Sequence, residues 1–116
     1  MKTDIWPMAV AIGMVLTAAP AQLVAEEKAA AEPSPEVVVE GKALYNQFCK
    51  MCHGVNMVSP GTASYDLRTF PHDDPARFRS SVTSGKNTMP AWGDLLKPEE
   101  IDAIWAYVLT DGKGAK

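Results

Sequence analysis

Cys49-Lys50-Met51-Cys52-His53 is the stretch on which the reading of this chain turns. It is a C-x-x-C-H pentad, the pattern of covalent c-type haem attachment. Two thiols so spaced can form thioether bonds to the two vinyl groups of one porphyrin, and the adjacent imidazole is then held beneath the iron as its proximal ligand. The chain has 116 residues and only two cysteines, both in the pentad. A disulfide framework with another segment is thereby excluded, as is a four-cysteine iron–sulfur or zinc site. A thioredoxin-like dithiol belongs in a βαβ pattern, and no strand-like alternation stands out here. A zinc site needs two further ligands, and His72 is the only other histidine.

Working outward, a helix runs into the pentad. Val37, Gly41, Leu44, Tyr45 and Phe48 repeat at three- and four-residue intervals. Pro35 stands just before it, and Glu36 and Glu40 suit the positive end of the helix dipole. Gly41 costs about 1 kcal/mol relative to alanine inside a helix, so its presence predicts another helix crossing close by. The candidate partner is C-terminal. Pro98 fits the first helical position, Glu99 and Glu100 the first turn, and Lys97 is a poor N-cap. Ile101, Ile104, Trp105 and Val108 make an apolar stripe assigned to packing, Tyr107 is within reach of the first helix beside Ile104, and Gly112 can end the segment. A third helix lies between, with Asp74 as N-cap, Pro75 at the first position, Gly85 at the C-terminal cap, and Phe78 and Val82 on one face. Arg77 and Arg79 are placed either in solvent or beside a haem propionate. The fold class is all-α.

The second iron ligand is sought among the methionines beyond the N-terminal segment: Met51, Met57 and Met89. Met51 lies in the pentad and Met57 four residues after His53, both tethered to the proximal side. Met89 lies in Gly85-Lys86-Asn87-Thr88-Met89-Pro90-Ala91-Trp92, a turn-rich loop that can wrap to the other face, stiffened after the ligand by Pro90. A thioether favours ferrous iron and raises the reduction potential. Gap-filling is the structural alternative for Met89, and His72 is the competing ligand.

Upstream, residues 1–25 read as a secretory signal peptide, with an apolar run from Met8 to Ala19 and small-residue cleavage candidates after Ala21 and Ala25. The alternative is a retained membrane anchor, since Ile5 to Ala25 is uncharged and meets the spanning requirement of roughly 20 residues. Either way the remainder is expected outside the cytoplasm, on the side where bacteria attach haem covalently. Residues 26–35, EEKAAAEPSP, read as a flexible linker. Residues 36–116 form the one folded domain, modest in size for a self-sufficient apolar core. A net charge of −3 argues against a nucleic-acid partner.

Gly41-x-x-x-Tyr45-x-x-x-Cys49-x-x-Cys52-His53-Gly54, the loop Gly85-Lys86 with Met89-Pro90, and Ile104-Trp105-Ala106-Tyr107-Val108 together resemble the class I monohaem c-type cytochromes of bacterial export compartments, over about Val38 to Leu109. The resemblance implies a small cytochrome c fold: three main helices and loops wrapped around one haem c, covalently held by Cys49 and Cys52, with His53 and Met89 as iron ligands. It also implies that Gly41 and Tyr45 meet Ile104 and Tyr107 where the terminal helices cross. In this family a proline carbonyl often accepts the hydrogen bond of the proximal imidazole. Pro60, only seven residues after His53, is the candidate. Arg68 and Trp92 are candidates for holding a propionate, by a charge-assisted bond and an indole N–H. Tyr65-Asp66-Leu67-Arg68-Thr69-Phe70-Pro71 is similar to small cytochromes that serve periplasmic quinoprotein alcohol dehydrogenases.

The function so implied is that of a monomeric, non-enzymatic one-electron carrier in the periplasm. It would make transient contacts with a redox-protein donor, such as a quinoprotein dehydrogenase, and with a terminal oxidase or another cytochrome as acceptor. Two alternatives stand beside it: a haem-bearing subunit of a larger oxidoreductase, and a small haem enzyme or sensor with a labile sixth ligand.

Overall fold

The structure, a computed structural model, describes Gly13 and residues 32–116 apart from Thr62. The segment read as a signal peptide and most of the expected linker lie outside the described residues. Four helices follow one another in the described part: α1 (Pro35–Phe48), α2 (Lys50–His53), α3 (Pro75–Ser84) and α4 (Pro98–Val108). Single 3₁₀ turns sit at Val55–Met57 and Leu67–Thr69. The only extended pairing among the described residues is one isolated bridge between Lys86 and Met89. This is the expected all-α fold, three main helices with α2 as a short continuation of α1. No helix among the described residues is long and apolar enough to cross a membrane.

Each helix start follows from its cap. Ser34 caps α1 by accepting from the Val37 amide at 3.4 Å, so Pro35, expected to end the linker, is instead the first helical residue. Asp74 caps α3 through the Arg77 amide at 3.1 Å, with Pro75 behind it. Lys97 offers no capping side-chain oxygen to α4. Glu100 compensates by reaching back to accept from the Lys97 amide at 2.8 Å, which supplies one half of a capping box.

The core is built on the crossing of α1 and α4. An alanine methyl at position 41 would stand 1.8 Å from the Ala103 carbonyl oxygen and 3.1 Å from the Ile104 amide, so the two backbones touch there. One turn on, the Tyr45 and Tyr107 rings pack at 5.1 Å between centroids, tilted by 59°. Val38, not Val37, carries the buried stripe of α1 toward its start; Val37 is exposed. On α4, the expected stripe of Ile101, Ile104, Trp105 and Val108 is buried, and burial extends beyond it to Ala103, Ala106 and Tyr107. The reason is that α4 is covered on two sides. Opposite α1 lies an aromatic cluster in which Trp105 meets Phe78 of α3 at 5.0 Å and Phe70 at 5.7 Å. The helix stops at Val108, four residues before the expected Gly112.

If the backbone contact at Gly41 is the pivot of the fold, even one methyl there must drive the helices apart. We expect Gly41→Ala to destabilise the haem-loaded protein by about 3 kcal/mol, the upper end for overpacking. Guanidinium unfolding followed by far-ultraviolet circular dichroism measures this; an unchanged midpoint contradicts the reading.

Candidate functional site

The end of α1 delivers the pentad. Cys49 closes α1, donating its amide to the Tyr45 carbonyl at 2.8 Å, and opens α2, accepting from the His53 amide at 2.9 Å. The two cysteines and His53 therefore sit on one turn of backbone. The turn is fixed from beneath by Tyr45, whose buried hydroxyl donates to the Gly54 carbonyl at 2.7 Å. Burial first, and then the nearby Cys49 and Tyr107, raise the pKa of that hydroxyl, so it remains a protonated donor.

Cys49, Cys52 and His53 line a cleft of about 360 Å³ together with Met89 and Trp92. That volume is within the range of about 300–1,000 Å³ for cofactor pockets. Its remaining walls are largely apolar, including Phe48, Phe70 and Ile104. Burial, with Cys52 beside it, pushes the Cys49 thiol up to about 12. The wall thus disfavours a thiolate and suits a neutral sulfur, which a thioether is. Apolar walls, paired sulfurs, an imidazole and a thioether side chain fit a haem held by its vinyl groups.

The His53 ring is oriented by its Nδ1, which donates to the Tyr65 carbonyl at 2.9 Å. That bond fixes the tautomer, leaving Nε2 as the nitrogen with a free lone pair. The acceptor is therefore the Tyr65 carbonyl and not that of Pro60, the expected candidate. Seven residues beyond the histidine the chain is still completing the turn at Gly54, where Pro60 Cδ stands 3.1 Å from the position of an added Cβ. It takes 12 residues for the backbone to return to the imidazole. Neither spacing nor residue type marks a tyrosine carbonyl for this task, so sequence reasoning missed it.

Met89 is placed by backbone devices. Lys86 and Met89 exchange amide–carbonyl bonds of 3.1 and 3.0 Å around Asn87 and Thr88. The loop is then stitched to the end of α3, with the Trp92 amide on the Val82 carbonyl at 2.9 Å and the Gly93 amide on the Thr83 carbonyl at 3.1 Å. Gly85 has φ +77°, where side chains are strained, and a Cβ there would stand 2.7 Å from the Met89 carbonyl oxygen. The other two methionines are elsewhere: Met57 is buried in the core and Met51 is 89% exposed. His72, the competing ligand, is exposed and paired with Asp111 at 3.2 Å.

Of the two propionate candidates, Trp92 lines the cleft and packs on Phe48 at 5.6 Å between ring centroids. Arg68 does not line it. Its guanidinium is engaged by Asp66 through Nε at 3.0 Å and Nη2 at 2.7 Å, which holds the Asp66 carboxyl below the usual carboxylate range. Two residues along the chain were enough to satisfy the fork locally. Of the other two arginines, Arg79 pairs with Asp102 across α3 and α4. Arg77 lines the cleft, its guanidinium carbon 4.9 Å from the Phe70 ring centroid.

The family described as cytochrome c oxidase, cbb3-type, subunit III matches residues 36–108. With the helix crossing, the cleft and the pentad in one domain, the chain belongs to that family and is a class I monohaem c-type cytochrome, with covalent haem c as its cofactor. Cytochrome c6 from Nostoc sp. is 36% identical over 75 residues, 61% of this chain and 68% of its own length. Cytochrome c6 from the diatom Phaeodactylum tricornutum superposes with a TM-score of 0.50 at 31% identity, covering 66% of this chain and 94% of its own. The quinohemoprotein alcohol dehydrogenase ADH IIB from Pseudomonas putida is 40% identical over 80 residues, 66% of this chain. The chain spans 11% of that enzyme and 10% of its relative ADH-IIG.

The Tyr45–Gly54 bond is testable apart from any haem chemistry. Tyr45→Phe leaves the ring packing and removes one of two hydrogen bonds to the Gly54 carbonyl, which still accepts from the Met57 amide at 3.2 Å, at a cost of about 0.5–1.5 kcal/mol. We expect a lower thermal midpoint for Tyr45→Phe with covalent haem still present in the intact mass.

Proposed function

We propose that His53 Nε2 and the Met89 thioether are the two axial ligands of one haem c and that the protein shuttles single electrons between larger redox partners outside the cytoplasm. The observation that carries this reading is the convergence of the pentad and Met89, 36 residues beyond His53, on one apolar cleft. Bound haem c exchanges one electron between its ferric and ferrous states. The chain's work is to hold it: Cys49 and Cys52 tether it, His53 presents a nitrogen oriented by Tyr65, and the Lys86–Met89 turn presents a soft sulfur. Trp92 and Arg77, both on the cleft wall, would hold propionates by an indole N–H and by charge. With protein on both axial positions no coordination site is left for a substrate, so the role is transfer and not catalysis.

The compartment follows from the reading of residues 1–25 and from the chemistry of covalent attachment; periplasmic residence fits both. Similarity to two quinohemoprotein alcohol dehydrogenases favours a quinoprotein dehydrogenase as donor, with a terminal oxidase or another cytochrome as acceptor. The same similarity supports a second reading, a haem-bearing subunit held permanently by a larger oxidoreductase. A carrier is monomeric and meets its partners in small, transient contacts.

Met89→Ala should abolish the low-spin spectrum, admit added imidazole and shift the ferric–ferrous balance more than tenfold toward ferric, about 59 mV per tenfold for one electron. Gly85→Ala, which displaces the Met89 carbonyl without touching the sulfur, should give part of the same change. An unaltered absorption spectrum in Met89→Ala removes Met89 as a ligand. For the partner, reduction by a quinoprotein dehydrogenase should slow as salt rises, since steering between charged faces is screened over about 8–10 Å. A complex that survives gel filtration supports the subunit reading instead.

A further inference from the structure

The carbonyl that accepts from His53 belongs to a peptide unit held unusually well for an exposed loop. Tyr65 O and the Asp66 amide share one rigid plane, so the direction of the carbonyl is set by the residues on either side. On the Asp66 side, the carboxylate accepts from the Arg68 amide at 3.0 Å, from Arg68 Nε at 3.0 Å and from Arg68 Nη2 at 2.7 Å. The Asp66 carbonyl accepts from the Thr69 amide at 3.0 Å and from Thr69 Oγ1 at 2.8 Å. On the other side, the Tyr65 hydroxyl donates to the Thr69 carbonyl at 3.3 Å and its ring meets Phe70 edge-on at 6.1 Å. Both neighbours of the peptide are thus tied to the 3₁₀ turn Leu67–Thr69. An exposed ion pair adds little to stability; a bidentate fork adds geometric definition.

We infer that the Asp66–Arg68 fork is a positioning device for the proximal imidazole: it clamps the peptide that accepts from His53, and through that hydrogen bond it holds the reduction potential down. The inference rests on the reading of His53 as an axial ligand. A firm Nδ1–H···O bond makes the imidazole more basic and favours ferric iron. A looser one shifts the balance toward ferrous. Arg68 acts without touching the cofactor, through Asp66 and then Tyr65.

The sign of the effect separates this from simple charge. Removing a positive charge near the haem stabilises the ferric state and lowers the potential; loosening the clamp raises it. Arg68→Lys keeps the charge and loses the fork. Arg68→Met loses both. In the full-length, haem-loaded protein we expect each variant to keep the His–Met low-spin spectrum and to shift the ferrous:ferric ratio two- to tenfold toward ferrous. Tenfold corresponds to about 59 mV for one electron. The His53 Nδ1 proton, followed by NMR, should exchange with solvent faster in both. Arg79→Met, which breaks a more exposed pair with Asp102, should change neither. A fall in potential in Arg68→Met, an unchanged potential in Arg68→Lys, or an equal rise in Arg79→Met overturns the inference. Absence of a His–Met spectrum in the unmutated protein overturns the ligation beneath it instead, which the parent spectrum alone reveals.

Discussion

The backbone-to-backbone contact between Gly41 and Ala103 is the constraint on which the remainder depends. It fixes how closely α1 and α4 approach, and α1 carries the pentad at its C-terminal end. Because Tyr45 lies one turn beyond Gly41 on the same face, the contact also sets the ring packing with Tyr107 and the reach of the Tyr45 hydroxyl to Gly54. Ile104, beside the contact on α4, forms part of the cleft wall. One missing side chain thereby couples the helix pair to the position of the cysteines.

A second consequence follows from size. A domain of this length has only a modest apolar core of its own. The described core is one cluster that runs from the helix–helix seam to the aromatic group of Phe70, Phe78 and Trp105, and the apolar cleft lies beside it. A covalently tethered haem completes that core and cannot dissociate from it. The aromatic cluster also has a positional role: by fixing α3 to α4 it fixes the end of α3, to which the Met89 loop is stitched through Val82 and Thr83.

What could be read from the sequence follows the physics of side chains. The pentad was legible because its chemistry requires those residue types at that spacing. Gly41 was legible because glycine inside a helix has a cost that only close packing explains, and Pro75 and Pro98 because proline suits a first helical turn. Arg68 shows a different limit. Its charge suggested a ligand-facing role, whereas Asp66, two residues away, engages its Nε and Nη2. The Tyr65 carbonyl was illegible for a deeper reason: every residue has a carbonyl, and only the path of the chain decides which one meets His53. The extent of burial on α4 was underestimated because periodicity marks one buried face, and a helix covered by α1 and by the aromatic cluster buries nearly all of its second half.

The two proposed ligands are held by the same kind of device. His53 is oriented by a main-chain carbonyl, and Met89 by a main-chain bridge to Lys86 whose tight turn depends on Gly85. Main-chain anchors on short turns are stiff, so ligand positions need to change little when the charge on the iron changes. They also leave the cleft-lining side chains free to vary in shape and polarity. The pentad then defines what kind of protein this is, and on the proposed ligation the turns behind the two ligands, Leu67–Thr69 on one side and Gly85–Met89 on the other, are where the affinity of the iron for its electron would be adjusted.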